Sequence, residues 1–284
     1  MPTSPMWRLA VLAALGLFAL APVARAQPIT AEQVATILAS PDRTAADRTN
    51  DLRRLPQQLL YFYGVRPGIT AVDLFAGGGY TTELVARAVG PSGAVFGQSR
   101  PPMANAPRPA QSEGNSNPLI VTPAPAAPPV FRPSPEALAA RMERMRAAGV
   151  ATAPISAVVR PFEDPFPAEL AEAKVDMVTL IFNYHDLGHM GADRAAMNRA
   201  VFRALKPGGI YIIADHSGRA GTGITEAGTL HRIEEAFLRQ EVEAAGFKLV
   251  AEGNFLRNPN DPRDKNTPDP AMPKDEFVLK FAKP

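Results

Sequence analysis

Cysteine is absent from the 284-residue chain, which excludes disulfides, thiolate metal sites, thiol nucleophiles and lipid attachment through an N-terminal cysteine. Packing alone has to hold the fold. No apolar run reaches the roughly 20 residues that a membrane-spanning helix needs; the uncharged stretch at 9–21 falls short. Charge of one sign is missing too. Arg8 and Arg25 are the only charged residues among the first 26, so residues 27–284 hold 30 less two, or 28, basic residues against 28 acidic ones. That balance gives no basic footprint for nucleic acid. The sequence also contains no internal repeat.

What is present begins with an export signal. Arg8 precedes the apolar stretch, and Ala24-Arg25-Ala26 supplies the small-residue pattern read by signal peptidase, with cleavage expected after Ala26. An uncleaved anchor would leave the domain on the same exported side. The expected location is exported and periplasmic, with no stable membrane insertion after cleavage. Residues 27–284 are long enough for one large α/β domain.

Thr30-Ala31-Glu32-Gln33 is a capping-box pattern that opens a helix towards Leu38, and Pro41 stops it. A polar stretch at 42–54, rich in Asp and Arg, leads to a helix initiated by Pro56. Residues 27–55 thus read as a helical extension to a main domain at 56–284. Residues 69–75 are mostly apolar and run into glycines, the profile of a strand buried on both faces of a parallel sheet. A helix over 81–88, a Gly90-Pro91-Ser92-Gly93 turn and a strand over 94–98 complete a βαβ unit. Residues 101–134 break the rhythm with Pro, Ala, Asn and Ser, and read as a surface insertion, either without a role or a lid over the site.

The alternation then resumes with a helix over 135–148 and strands over 155–159 and 175–182. A helix over 193–205 ends at Lys206-Pro207-Gly208-Gly209, and a strand over 210–214 follows. A helix over 230–245 is closed by Gly246, and strands over 247–251 and 276–281 finish the chain. The expected fold is α/β, a doubly wound and mainly parallel sheet. The last two strands, with no helix between them, imply an antiparallel hairpin at one edge.

Val72-Asp73-Leu74-Phe75-Ala76-Gly77-Gly78-Gly79-Tyr80 lies where the first strand gives way to a helix. Glycines there let backbone approach a ligand, with free N–H groups of the helix start facing the crevice, although a tight turn needs glycine with or without a ligand. Thr82 stands where the dinucleotide fingerprint would have its third glycine, which argues against a nicotinamide enzyme.

The segment resembles motif I of the class I S-adenosylmethionine-dependent methyltransferases in Asp73, Gly77 and Gly79, with Phe75 replacing the first glycine. The resemblance continues through residues 93–97, Pro161-Phe162-Glu163-Asp164, Val175-Asp176-Met177-Val178 and Arg203-Ala204-Leu205-Lys206-Pro207-Gly208-Gly209, and covers most of 56–284. With Asn183-Tyr184-His185-Asp186, Leu256-Arg257-Asn258-Pro259 and the export signal, the chain is similar to a bacterial group of exported, predicted methyltransferases.

The resemblance implies a Rossmann-like, seven-stranded sheet with its last strand antiparallel and S-adenosylmethionine over the carboxyl ends of the strands. It implies Asp73, Ala76, Gly77, Gly79 and Tyr80 on the methionine side, Glu163 and Asp164 near the adenine, and Ser99 and Asn183 among the cofactor contacts. Where the family has an acid for the ribose hydroxyls, this chain has Gln98-Ser99, neutral groups that would hold a ribose more weakly.

All four histidines, at 185, 189, 216 and 231, fall in the second half of the domain. His185-Asp186 follows the fourth strand, from which the resemblance implies that the methyl acceptor is reached. A histidine beside an aspartate can take a proton from an acceptor as the methyl arrives; the pair could equally be polar residues capping the strand end. Asp215-His216 after the fifth strand is a second candidate acid–base pair, or a polar entry to a loop. His185 and His189 are one helical turn apart and could share a metal if that stretch were helical. Gly188 and the lack of a third ligand argue against it, so no metal is assigned. Arg232 could meet an anionic substrate or sit in a solvated first turn.

The expected function is methyl transfer from S-adenosylmethionine to a small-molecule acceptor, with the protein supplying alignment and a dry pocket. Two other readings stay open. One is an exported binding protein that keeps the fold without catalysis, motivated by Phe75, Gln98 and Ser99. The other is a histidine-dependent or metal-assisted hydrolase.

Overall fold

The computed structural model describes residues 27–102, 134–268 and 270–284. The export signal and nearly all of the proline-rich insertion lie outside the described residues. In chain order the elements are α1 (Ala31–Ala39), α2 (Ala45–Arg54), α3 (Pro56–Tyr63), β1 (Thr70–Asp73), α4 (Tyr80–Val89), β2 (Ala94–Ser99), α5 (Ser134–Ala147), β3 (Ile155–Val159), β4 (Val175–Ile181), α6 (Asp186–His189), α7 (Arg194–Ala204), β5 (Leu205–His216), α8 (Glu235–Ala244), β6 (Lys248–Gly253) and β7 (Glu276–Ala282). Among the described residues no helix is long and apolar enough to cross a membrane.

The strands form one seven-stranded sheet in the order β3-β2-β1-β4-β5-β7-β6. The first five are parallel neighbours, and β7 runs antiparallel to both β5 and β6. This is the expected doubly wound sheet with its edge hairpin. Alternate residues of β4 feed opposite faces, as strand geometry requires. Val178 and Leu180 join Met197, Val201, Leu238 and Val242 under α7 and α8, whereas Met177 and Ile181 join Leu59, Leu60, Leu84 and Val85 under α3 and α4. A sheet covered on both faces leaves its strand ends as the place for a site, and the chain reverses its winding between β1 and β4, which opens a crevice at their carboxyl ends.

Four elements differ from the sequence expectation, one of them α6 at Asp186–His189, a short helix that the expected elements did not include. The polar stretch at 42–54 contains a helix, α2, whose N-cap Thr44 accepts from Asp47 N. It lacks an apolar stripe and is held by ion pairs: Arg43 forks onto Asp51 at 2.6 and 2.7 Å, and Arg141 of α5 reaches Asp47 at 2.8 and 3.0 Å. Hydrophobic periodicity cannot register a helix bound in that way. β5 starts at Leu205, before the glycines of the expected turn, because Gly208 N donates to Lys283 O and Lys283 N to Gly209 O. Finally, α8 begins at Glu235 and not at residue 230; Ile233 is drawn into a parallel bridge with Ser217.

Candidate functional site

The glycine turn stands at the reversal point. Leu74 N donates to Thr179 O and Ala76 N to Gln98 O, both at 2.8 Å, so the chain leaving β1 is stitched to each neighbouring strand. Phe75, Gly77 and Gly79 are left-handed, at φ 56°, 53° and 78°. For Phe75 that conformation costs on the order of 1 kcal/mol. It is held by a bond from Phe75 N to Gln98 Oε1 and by the ring, which packs 5.0 Å from that of Phe162.

Gly79 has a packing reason, because a Cβ there would stand 2.6 Å from Leu138 and 2.9 Å from Arg141 of α5. Gly77 and Gly78 have open space instead: a Cβ on Gly78 would meet nothing within 4 Å, and one on Gly77 only Phe75 O at 3.8 Å. Asp73, Ala76, Gly77, Gly79 and Tyr80 therefore come together at one turn, with room beside its middle.

Their side chains are partly committed to the fold. Asp73 is buried and accepts from Thr82 at 2.6 Å and Thr179 at 2.7 Å, tying β1 to α4 and β4; burial lifts its carboxyl to about 6 in spite of those bonds. Tyr80 donates its hydroxyl to Asp51 of α2 at 2.7 Å. Gln98 uses both ends of its amide, on Phe75 N and on Arg160 O, and leaves half-buried Ser99 as the next polar side chain at the end of β2. Glu163 accepts from Asp193 N at 3.0 Å, and exposed Asp164 is ion-paired with Arg160.

Sequence reasoning missed Arg53 and Arg54, which close the crevice from the end of α2. The Arg53 guanidinium lies 4.8 Å from the Phe182 ring and reaches Glu276 at 3.0 Å. That of Arg54 lies 4.9 Å from Phe182 and 5.3 Å from Tyr80. Burial, and then the charge of Arg53, lower Arg54 to about 10. Arg53 Nε and Nη2 and Arg54 Nε are shut off from solvent without a hydrogen bond. Two adjacent arginines ahead of a proline-started helix carry no mark of such a role in sequence.

Beyond Phe182 lies a cluster of histidines. Phe182 is itself left-handed, at φ 61°, and turns the chain across the end of β4. Its ring stacks on His216 with 5.3 Å between centroids. His216, on β5, pairs with Glu276 of β7 at 2.9 Å. His185 is fully buried. Its N–H donates to Asp215 Oδ2 at 2.8 Å and its Nδ1 lies 2.6 Å from Asp215 Oδ1. Burial works against the charged ring, yet the charges of Asp215 and Asp186 outweigh it and carry His185 up to about 10.

Asp186 Oδ1 lies 3.3 Å from His185 Nε2, 3.5 Å from His231 Nδ1 and 4.0 Å from His189 Nδ1. Asn183 donates to the other carboxylate oxygen, Oδ2, at 3.2 Å. The four candidate residues His185, Asp186, Asp215 and His216 thus meet, and tertiary folding adds His231 to them. Arg232 does not join. It is fully buried, bound to Ser217 O, Asp261 and Lys265 O, and is neither a solvated first turn nor a substrate contact.

Beside Arg53 and Glu276 opens a cavity of about 450 Å³, walled by Leu52 and Leu55 on one side and by Leu256, Arg257 and Met272 on the other. It is roughly the volume of a small-molecule site.

No protein-family model and no curated protein matches the sequence. Solved structures do match the fold. A chain of the Haloferax volcanii complex of the methyltransferase activator Trm112 superposes with a TM-score of 0.51 at 19% identity, over 90% of this chain and 99% of that one. The [4+2]-cyclase SpnF gives 0.50 at 15% identity, over 92% and 98%. The arsenic(III) S-adenosylmethionine methyltransferase CrArsM of Chlamydomonas reinhardtii gives 0.50 at 14% identity, over 88% and 72%. The chain therefore has the Rossmann-like fold of the S-adenosylmethionine-dependent methyltransferases.

Proposed function

We propose that this protein transfers a methyl group from S-adenosylmethionine to a small-molecule acceptor outside the cytosol, in the periplasm. Two observations carry the reading: open space beside Gly77 and Gly78 where the sheet reverses its winding, and the Arg54 guanidinium, 5.3 Å from the ring of Tyr80 that follows the same turn, with an Nε that has no hydrogen bond. Arg53 has Glu276 as its ion-pair partner, but a buried N–H group left without an acceptor still costs about 1–3 kcal/mol. A carboxylate is the natural complement of a guanidinium fork, and the methionine end of the cofactor has one.

The residues present fit the group, with Gly77, Gly78 and Tyr80 bounding the space, Arg54 and Arg53 meeting the carboxylate, and Ser99 offering a hydroxyl to the ribose. When bound, the cofactor would supply an electrophilic methyl on a sulfonium. The chain itself binds and aligns. Phe182 and the α2 arginines keep water from the middle of the crevice, and the 450 Å³ cavity admits the acceptor.

Calorimetric titration of the purified protein with S-adenosylmethionine and S-adenosylhomocysteine tests this. One-site binding at micromolar concentrations is expected, and no heat at millimolar ligand would contradict the proposal. The committed amide of Gln98 favours a second reading, a binding protein without catalysis; binding without turnover across hydroxyl, amine and thiol acceptors would support it.

A further inference from the structure

We propose that His185 Nε2, Asp186 and His231 form a binding site for one divalent transition-metal ion, of the zinc and ferrous class. Sequence spacing offered only His185 and His189, with no third ligand. The fold supplies the missing groups, because the carboxylate of Asp186 stands beside His185 Nε2 and His231 arrives from the loop before α8. The ligand atoms of His185, Asp186 and His231 all lie within 4.8 Å of one another. Two of the three edges, 3.3 Å from His185 Nε2 to Asp186 Oδ1 and 3.5 Å from His231 Nδ1 to the same oxygen, already have ligand-shell length. Bonds of about 2.0–2.2 Å to nitrogen and oxygen put neighbouring ligands roughly 3–3.5 Å apart.

The strongest pointer is His185 itself. Its ring is wholly buried and its Nδ1 is held by Asp215 at 2.6 Å, while Nε2 faces Asp186 Oδ1 at 3.3 Å without a well-aligned hydrogen bond. An imidazole fixed through one nitrogen by a carboxylate, with the other turned to an acid and a second imidazole, is the arrangement that orients a metal-ligating histidine. Asn183 steadies Asp186 in the same way, by holding Oδ2 while Oδ1 faces the histidines.

Two imidazoles and one carboxylate suit zinc, ferrous iron, cobalt or nickel better than magnesium or calcium. The Asp186 and His231 side chains are 20% and 31% exposed, so an ion has a way in and three protein ligands leave coordination positions open. The site lies across Phe182 from the glycine turn and shares no residue with it. It stands or falls apart from S-adenosylmethionine binding.

The test uses the purified protein stripped with chelator and titrated with zinc alone in a calorimeter, and with cobalt(II) in a spectrophotometer. Expected are one ion per chain, a Kd of micromolar or tighter, and visible cobalt bands of a nitrogen–oxygen site. His231→Ala removes the most exposed ligand and should weaken zinc at least 30-fold with an unchanged circular dichroism spectrum. Asp186→Asn is the second variant, also expected to weaken it. Failure of zinc and cobalt to bind the wild-type protein, or equal zinc affinity in a folded His231→Ala protein, would overturn the proposal.

Discussion

The crevice has two ends built from different materials. At the glycine turn the shape is set by main chain: bonds from Leu74 and Ala76 to β4 and β2, left-handed residues, and space beside Gly77 and Gly78. Across Phe182 the shape is set by charged side chains that come from the start of α6, from β5, β7 and α2, and from the loop before α8. The first end is a mould made of main chain, with Asp73 as the titratable group that ties it to α4 and β4. The second is loaded with charge that the chain alone does not fully satisfy, at Arg53, Arg54 and His185 Nε2. Rigid backbone defines where a ligand lies, and unspent polar atoms define which chemistry it must bring.

The largest effect should come from blocking the mould. Gly78 has an ordinary φ and nothing within 4 Å of its would-be Cβ, so Gly78→Trp should abolish S-adenosylmethionine binding, by more than about 100-fold, with a thermal midpoint close to wild type. Gly77, at φ 53°, would add backbone strain to the same experiment. Next in size, Arg54→Leu should lower S-adenosylmethionine affinity about 10- to 100-fold, the worth of one charge-assisted pair. Because it removes a poorly compensated cation, its thermal midpoint should stay the same or rise.

Asp215→Asn sharpens the contrast between the ends. It should weaken zinc about 10-fold or more by loosening His185 and leave S-adenosylmethionine affinity untouched; a parallel loss of both would mean that the two ends are one site.

A separate readout, stability against pH, concerns Asp73. It titrates at about 6 in the fold against 3.8 without it, so between those values the folded chain keeps a proton that the unfolded chain has lost. Stability contributed by this group is present at low pH and is lost as pH rises through about 4 to 6, on the order of 3 kcal/mol. Urea midpoints across that range should show the fall in wild type and a flatter profile in Asp73→Asn.

Sequence made the sheet and the glycine turn legible because both are local. Strand runs such as Val175–Ile181 announce burial on two faces, and glycines at a strand-to-helix junction announce a turn. The histidine end was half legible: His185-Asp186 and Asp215-His216 stood out at strand ends, but their meeting depends on β4 and β5 being neighbours, and that of His231 on a loop returning over them. Arg53 and Arg54 were not legible at all. α2 hides them in a charged stretch whose helix is held by α4 and α5 partners 29 and 94 residues away, Tyr80 and Arg141. Arg232 misled for the opposite reason, since its burial follows from Asp261 in a distant loop.

The central claim is that the turn at 76–79 and the α2 arginines together form one cofactor site. It is tested most directly by titrating S-adenosylmethionine into wild-type and Arg54→Leu proteins side by side. A micromolar, one-to-one isotherm that weakens at least 10-fold in the variant is expected; identical isotherms, or none in either protein, would contradict it.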